Sequence, residues 1–250
     1  MNINYRKVWY NYKGEKMKIN KNQLKYIALI SMILDHIGMF FIPVSSGFFG
    51  ILLRVFGRLA APIFCYSLAE GFGYTSSKKK YGIRLLLFAI ISQFAYSFAH
   101  FNKIFTFEFN VIVTFFISFM MLLAHEKINN KILKWLCVIL IITLSLPCDW
   151  AIIGPLFVLT FYLNRKSKKE MTIWYSILVS IMIILDSFFL LNNGYHWYGE
   201  LWQLGLFMFI PVLYMYDGKK IKLNIFNKWI FYVFYPLHFI IIGIIKLLIN

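Results

Sequence analysis

Acidic residues are scarce in this chain. Ten Asp and Glu residues stand against 26 Lys and Arg residues, which gives a formal net charge of +16. Charged residues of both signs make up only 14% of the sequence, well below the share in soluble domains. In a soluble protein such a basic excess would suggest nucleic-acid binding. No nucleic-acid motif accompanies the charge, so we expect no nucleic-acid partner.

Cysteine and the motifs of soluble enzymes are also scarce. Cys65, Cys137 and Cys148 lie in or beside apolar runs and form no C-x-x-C pair. This pattern indicates packing rather than a disulfide framework or a metal site, so we expect no bound metal. The chain has no P-loop, H-E-x-x-H or G-x-S-x-G motif, which excludes the enzyme classes built on them.

Hydrophobic residues make up 60% of the chain and aromatic residues 20%. They occur in blocks of roughly 20 residues, the length that a helix needs to cross a membrane. Period-2 alternation is absent, which argues against transmembrane strands. The sequence therefore predicts an all-α, polytopic transmembrane helix bundle of about nine spans. The predicted spans are 24–42, 49–73, 81–100, 108–125, 131–147, 150–164, 171–191, 201–216 and 227–249.

The loops between these spans alternate in charge. Basic residues are concentrated in 1–23, 76–80, 125–134, 164–170 and 217–228, whereas 43–47, 146–150 and 192–200 have almost none. Lys103 is the one exception. By the positive-inside rule, the amino terminus is predicted to be cytoplasmic and the carboxyl terminus external. We expect residues 1–23 to form a basic cytoplasmic segment without a cleavable signal peptide, and residues 24–250 to form a single transmembrane domain.

Several ionisable residues lie inside the predicted spans. Asp35 and His36 are adjacent in the first span, and Arg54 and Arg58 share one helical face of the second. Counted from the outer end, the two arginines lie at about the depth of His36, which predicts an anion-binding pocket. The alternative is a purely structural buried group, or, for Arg54, a side chain that reaches outward to the interface.

Other polar residues collect at the predicted outer level, with a few at the inner boundary. The outer ones are Glu108, Asn110, Asp149, Asp186, Glu200, Gln203 and His238; the inner ones are Glu70 and Arg84. Together they predict a polar cavity that opens toward the exterior, with His36 near its floor. The alternative for each interfacial acid is a simple solvated helix end.

Two tandem stretches resemble the TraX family of bacterial membrane proteins. They are "LKYIALISMILDHIG" (24–38) and "LRVFGRLAAPIFCYSLAEGF" (53–72), and the likeness extends to "FYVFYPLHFIII" (231–242). The resemblance implies a multi-pass protein of the bacterial plasma membrane and acetylation of an amino terminus such as that of conjugative pilin. The pilin itself is not implied by this sequence, since relatives can serve other acceptors.

The first span is also similar to that of a larger superfamily of acyltransferase-3-like membrane acyltransferases. That superfamily has a basic residue, ten intervening residues and a histidine, as do Lys25 and His36 here. The similarity implies that residues 24–250 are acyltransferase-like, that His36 is catalytic, and that acetyl-CoA is the cytoplasmic donor. Asp35, Arg54 and Arg58 would lie beside the reaction.

The acceptor would be an amine or a hydroxyl at the outer face, on a pilin-like protein or a cell-envelope glycan. Coenzyme A is polyanionic, so the basic residues Lys25, Lys78, Lys79, Lys80 and Arg84 are candidates to bind its phosphates. The alternative for the lysine run is topology alone. His36 would act as a general base or carry the acetyl group itself.

Asp35 is a doubtful partner for His36, because adjacent residues point to different faces of a helix. A carboxylate from another span, such as Asp149 or Glu108, would suit that role better. The rival functions are a transporter and a non-catalytic assembly protein for a surface structure. Transporters often contain internal repeats, and the sequence has none.

Overall fold

The computed structural model describes residues 18–219 and 225–249, the latter with side chains from residue 232 onward. Most of the predicted basic segment 1–23 and part of the basic loop 217–228 lie outside these residues. The described residues form α-helices and two 3-10 helices, Val44–Ser46 and Leu201–Met208, and no β-strand. The α-helices are α1 (Lys21–Phe40), α2 (Phe48–Gly57), α3 (Ala60–Tyr74), α4 (Lys78–Phe101), α5 (Val111–Lys127), α6 (Lys131–Thr143), α7 (Ile153–Leu163), α8 (Lys168–Asn192), α9 (Phe209–Met215) and α10 (Ile225–Ile249).

Helix starts follow from local sequence. Five helices begin after an Asn or Ser whose side chain accepts a hydrogen bond from a backbone N–H of the first turn. These caps are Asn20, Ser77, Asn110, Asn130 and Ser167. The Asn20 cap is completed by Gln23, which accepts a hydrogen bond from the Asn20 N–H. The start of each of these five helices thus has a local cause in the sequence.

Four helical segments of the described residues are long and apolar enough to cross a membrane. They are Phe48–Tyr74, Lys78–Phe101, Lys168–Asn192 and Tyr232–Ile249. By contrast, α6 has 13 residues and α7 has 11. At 1.5 Å per residue these two extend only about 20 and 17 Å, short of the ~30 Å hydrocarbon layer. The helical class is confirmed, whereas nine full spans are not supported.

The second predicted span is broken in its middle. Its two halves, α2 and α3, are separated by Arg58 and Leu59. Pro62 explains the break, because it has no N–H to donate to the carbonyl of Arg58, four residues earlier, and its ring crowds that carbonyl. The break therefore places Arg58 at a helix end instead of inside a regular turn.

Helix α1 lies at the centre of the packing that builds the site. It contacts α2, α3 and α10, while α3 packs against α7 and α10 packs against α4. The buried interior is rich in aromatic rings, among them Phe72, Phe119, Phe157, Phe161 and Phe209. By contrast, only 22% of the most apolar part of α8 is buried. An apolar helix with such an exposed face is typical of contact with lipid.

The start of α1 is tied to the end of α9. The Ile19 N–H donates to the Met215 carbonyl at 2.9 Å, and the Asp217 N–H donates to the Ile19 carbonyl at 3.0 Å. Lys21 pairs with Glu70 of α3 at 2.9 Å. These contacts fix the end of α1 that is predicted to be cytoplasmic, about 20 Å from Asp35 at 1.5 Å per residue.

Candidate functional site

Asp35 binds both arginines of the second predicted span. Arg54 Nη1 lies 2.9 Å from Asp35 Oδ1, and Arg58 Nη2 lies 2.7 Å from both carboxylate oxygens. Between 9% and 14% of each of these three side chains is exposed. Buried ions are tolerated when they are paired and hydrogen-bonded. The acid beside His36 is therefore explained by the arginines of the neighbouring helix.

Glycine permits the close approach of α1 and α2. A Cβ at Gly57 would lie 2.5 Å from the Cα of Asp35, and a Cβ at Gly38 would lie 3.1 Å from the Arg54 side chain. Side chains at these two positions would push the helices apart. The two glycines therefore bring the Asp35 carboxylate within reach of both guanidinium groups.

Trp202 covers the two arginines from the 3-10 helix Leu201–Met208. The guanidinium carbons of Arg54 and Arg58 lie 4.2 and 4.4 Å from the centre of its ring, within the range of a cation–π interaction. Gly205 makes this position possible, because a Cβ there would overlap the Val55 carbonyl. The ion cluster is thus enclosed by an aromatic ring instead of facing an open cavity.

His36 pairs with His238 of α10. The Nδ1 atom of His36 lies 2.9 Å from Nε2 of His238, and the Nδ1 atom of His238 lies 3.0 Å from the Phe234 carbonyl oxygen. Both histidines are buried, and Phe239 packs against each ring. This hydrogen bond joins two helices at opposite ends of the chain.

The hydrogen bonds assign the protons of the neutral histidine pair. A carbonyl oxygen can only accept, so Nδ1 of His238 carries its proton and Nε2 has a lone pair. That lone pair must accept the proton on Nδ1 of His36. The remaining nitrogen of His36, Nε2, therefore has a free lone pair, which is what a general base or a nucleophile requires.

His36 lines a small pocket of about 40 Å³. Its polar lining comes from Asp35 and His36 of α1 together with Asp149 and Trp150 of the loop before α7. The apolar lining residues are Met32, Gly57, Ala60, Ala61, Phe64, Val111 and Phe115, and Tyr235 of α10 also lines the pocket. The structure thus brings together three of the predicted site residues, from two separate parts of the chain.

Asp149 is the carboxylate that reaches this pocket from another segment. Its carbonyl accepts a hydrogen bond from the Thr114 hydroxyl, and its N–H donates to the Phe109 carbonyl at 2.7 Å. Burial raises the pKa of its carboxyl to about 6, and the charge of Arg58 opposes that rise. A carboxyl with such a pKa can exchange a proton near neutral pH.

A second, larger cavity of about 360 Å³ lies toward the other end of α1. Lys21, Lys25 and Arg84 line it, together with Thr75, Tyr81 and Tyr232. The Nε atom of Arg84 is buried and has no hydrogen-bond partner among the described residues. The cavity thus combines cationic groups near the first turns of α1 and α4 with an apolar interior.

Five residues line both the larger cavity and the His36 pocket. They are Met32, Phe64, Val111, Phe115 and Tyr235. The two spaces are therefore adjacent and share these side chains as a wall. A ligand whose head occupies the cationic end of the cavity can direct its other end toward His36.

The other residues predicted near the cationic end either contact neighbouring side chains or are exposed. Glu70 accepts hydrogen bonds from Lys21 at 2.9 Å and from the Tyr216 hydroxyl at 2.8 Å. Lys78 pairs with Glu126 and lies over the Phe72 ring. Lys79 and Lys80 are exposed. None of the three lysines lines the larger cavity, so of the predicted phosphate-binding group only Lys25 and Arg84 do.

Three predicted cavity residues lie away from His36. Glu108 is exposed. The Asn110 side chain donates to Gln93 at 2.8 Å and caps α5, which is a structural role. Gln203 donates to Asp186 at 2.7 Å. The suggestion that Glu108 orients His36 is not supported, since that position is taken by His238.

The predicted anion pocket and outward-facing polar cavity are also not supported. Asp35 already pairs with Arg54 and Arg58, and Trp202 covers both, so the predicted outer end is filled. The 360 Å³ cavity lies at the opposite end of α1. Sequence reasoning missed Trp150, Trp202 and Tyr235, because aromatic residues are so frequent in this chain that none stands out.

Comparisons with known proteins agree with the resemblance to the TraX family. The family model for the TraX protein matches residues 20–246. A probable fimbrial assembly protein FimC, serogroup H1, of Dichelobacter nodosus is 29% identical over 224 residues, covering 86% of this chain and 91% of that protein. No solved structure matches the chain significantly.

A second relative is similar over a shorter region. It is an uncharacterized protein of Rickettsia prowazekii, 31% identical over 70 residues, which covers 28% of this chain and 24% of that protein. The family match spans nearly all of the described residues, including Asp35, His36, Arg58 and His238. Together with the apolar helices, it indicates a membrane protein, and the chain belongs to the TraX family.

Proposed function

We propose that this protein is an integral membrane acetyltransferase that moves an acetyl group from cytoplasmic acetyl-CoA to an acceptor at the outer face of the bacterial plasma membrane. The observation that carries the proposal is the shared wall between the cationic cavity and the pocket of His36. Such an arrangement suits a long donor that is anionic at one end and reactive at the other.

The cationic end of the cavity is suited to the phosphates of the donor. Lys21, Lys25 and Arg84 supply positive charge, and Arg84 has a buried Nε donor to satisfy. A buried unsatisfied donor costs about 1–3 kcal/mol, which a bound phosphate oxygen would offset. With the basic loops in the cytoplasm, this end faces the compartment that holds acetyl-CoA.

The reaction uses the free lone pair of His36 Nε2. The acceptor gives its proton to Nε2 as its nitrogen or oxygen bonds to the thioester carbon. The carbon–sulfur bond breaks, and the proton passes from the imidazolium to the leaving thiolate. The products are the acetylated acceptor and coenzyme A. In the alternative route, Nε2 itself attacks the thioester carbon, the carbon–sulfur bond breaks, and coenzyme A leaves as its thiolate. The acceptor then attacks the acetyl carbon, the bond from that carbon to Nε2 breaks, and the proton of the acceptor passes to the thiolate.

The size of the His36 pocket favours a short acyl group. A cavity needs about 10–15 Å³ to hold one water-sized atom, so a volume of about 40 Å³ admits about three non-hydrogen atoms. An acetyl group has three. Phe64 and Phe115 close the pocket with rigid rings, and a longer chain would have to displace them.

Asp149 favours an amine over a hydroxyl as the acceptor. Its carboxylate can pair with an ammonium group, and its pKa of about 6 lets it take the ammonium proton near neutral pH. This supports the amino terminus of a protein as acceptor. The fimbrial assembly name of the Dichelobacter relative makes a pilin-like protein the first candidate.

The name of that relative also supports the rival function, a non-catalytic assembly protein for a surface structure. A purified-protein assay in lipid nanodiscs separates the two. It uses radiolabelled acetyl-CoA and a peptide with a free amino terminus, beside an amino-blocked peptide. We expect label transfer by the wild type and none by His36→Ala.

His196→Ala is the matched histidine control, because His196 is exposed in the loop after α8. It should transfer label at the wild-type rate. Full activity of His36→Ala would refute the assigned role. If the wild type neither binds acetyl-CoA nor transfers label, the assembly function is favoured. Arg84→Gln should raise the KM for acetyl-CoA, while Lys166→Gln, an exposed lysine outside the cavity, should not.

A further inference from the structure

The wall between the two cavities contains one polar side-chain group. Of the five residues that line both spaces, Met32, Phe64, Val111 and Phe115 have apolar side chains. Tyr235 alone carries a hydroxyl. A ligand that extends from the cationic cavity to His36 must pass between these five residues, and Tyr235 is the one among them that can donate a side-chain hydrogen bond.

The Tyr235 hydroxyl is buried without a hydrogen bond to any described residue. The residue is 6% exposed, and its oxygen has no hydrogen-bond partner among the described residues. A buried unpaired hydroxyl is destabilising, and folded proteins leave few of them. Two other buried tyrosines are satisfied, since the Tyr175 hydroxyl donates to the Leu206 carbonyl at 2.8 Å and the Tyr216 hydroxyl donates to Glu70 at 2.8 Å. The exception therefore lies at the boundary between the two spaces.

The ring of Tyr235 is held firmly even though its hydroxyl is not. It packs edge-to-face against Phe239 and His238, with ring centroids 5.1 and 5.4 Å away. Both residues also pack against the ring of His36. The hydroxyl is thus fixed relative to the histidine pair, which is the pre-organisation that stabilisation of developing charge requires.

The start of α5 reinforces the same point. Val111 is the first residue of α5, so its N–H has no partner within the helix. The positive end of the helix dipole lies there as well. Since Val111 lines both spaces, negative charge that develops on an oxygen between them meets a positive local potential.

We propose that the Tyr235 hydroxyl donates a hydrogen bond to the carbonyl oxygen of the acyl thioester and stabilises the oxyanion that forms when the carbonyl carbon is attacked. This inference rests on the proposed acetyl transfer. No proton is consumed, because the hydroxyl keeps its hydrogen. As the carbon–sulfur bond breaks, the oxyanion returns to a carbonyl and the thiolate takes the proton that His36 holds.

Tyr235→Phe tests this role, since it removes the hydroxyl and keeps the ring. We expect kcat to fall about 10²-fold with little change in the KM for acetyl-CoA, as when an oxyanion donor is lost. The melting temperature should not fall, because no bond within the protein is broken. Tyr175→Phe is the matched control: it loses a hydrogen bond, so it should melt earlier and keep its kcat.

A second measurement observes the contact directly. In the His36→Ala protein with bound acetyl-CoA carrying a ¹³C-labelled carbonyl, the hydrogen bond should lower the carbonyl stretching frequency. Adding Tyr235→Phe should raise that frequency. If Tyr235→Phe keeps the wild-type kcat while His36→Ala is inactive, this inference is overturned. The proposed acetyltransferase function would then still hold. A wild type that neither binds acetyl-CoA nor transfers label would overturn both, and a fall in kcat matched by a lower melting temperature would overturn this inference in favour of a structural role.

Discussion

Arg58 holds both carboxylate oxygens of Asp35 at 2.7 Å, across the contact between α1 and the break in the second predicted span. Arg54 adds a third strong contact at 2.9 Å. One carboxylate thus neutralises part of the charge of two buried guanidinium groups. These contacts also fix the segment of α1 that carries His36, because Asp35 is the residue before it.

Removing the Asp35 charge should destabilise the protein strongly. In Asp35→Asn the two arginines stay buried and lose the carboxylate that binds both of them, and breaking a buried pair from one side costs about 3–5 kcal/mol. Thermal unfolding in detergent, followed by circular dichroism, measures the change. Asp186→Asn is the comparison, because among the described residues its carboxylate accepts a hydrogen bond from Gln203 and forms no ion pair, so its loss should cost less. Equal melting temperatures for the two variants would contradict the role of the ion cluster.

Changing His238 should slow transfer without preventing donor binding. His238→Ala removes the acceptor for the Nδ1 proton of His36, so the lone pair on Nε2 is no longer fixed. We expect kcat to fall by about 10²-fold, the lower end of what an oriented general base contributes. His238→Gln should recover part of the rate, because its amide oxygen can accept the same proton. Steady-state kinetics with acetyl-CoA test this, and no recovery would argue against a positioning role.

Asp149 should make stability depend on pH. Its pKa is raised from 3.8 to about 6 in the fold, so the folded protein binds its proton more tightly than the unfolded chain does. The contribution of this carboxyl to the stability of the protein is therefore greatest below pH 4, and it decreases as the pH rises toward 6. Arg58, Arg54 and Asp35 act on the same carboxyl.

The matching variant for this prediction is Asp149→Asn, which cannot titrate. The difference in melting temperature between wild type and variant should change between pH 4 and 6 and stay constant above pH 7. A difference that does not vary with pH would show that the carboxyl has an ordinary pKa in the folded protein.

Gly57→Ala should separate α1 from α2. The new Cβ would lie 2.5 Å from the Asp35 Cα, and such overpacking costs about 1–3 kcal/mol. Gly73→Ala is the control, because a Cβ there meets nothing within 4 Å and alanine favours a helix by up to about 1 kcal/mol. Unfolding should therefore become easier in the first variant but not in the second. Equal behaviour would show that the helices can move apart freely.

The helices themselves were largely predictable from sequence. Apolar blocks and Asn or Ser caps give each helix a local cause, and all nine predicted spans contain helix. The break at Arg58 was missed, although Pro62 is the local reason for it. Nine full spans were predicted because an apolar block indicates a helix in an apolar environment. That environment can be the protein interior as well as the bilayer, so the block alone does not show that the helix crosses the membrane.

The contacts of the site were harder to predict. Depth arguments placed the two arginines near the level of His36, and in the structure both arginines contact Asp35, the residue before it. Which of them pair depends on how closely α1 and α2 approach, and that is set by Gly38 and Gly57. The pairing of His36 with His238 has no local pattern at all, since these residues are 202 positions apart.

This separation sets an order for the growing chain. Asp35 and the arginines lie 19 and 23 residues apart, so their charges can meet as soon as the second span has been synthesised, before either must face hydrocarbon alone. The histidine pair forms only after α10 has been synthesised. A nascent chain that does not yet include α10 can therefore already pair its buried charges, although neither His238 nor Tyr235 has reached His36.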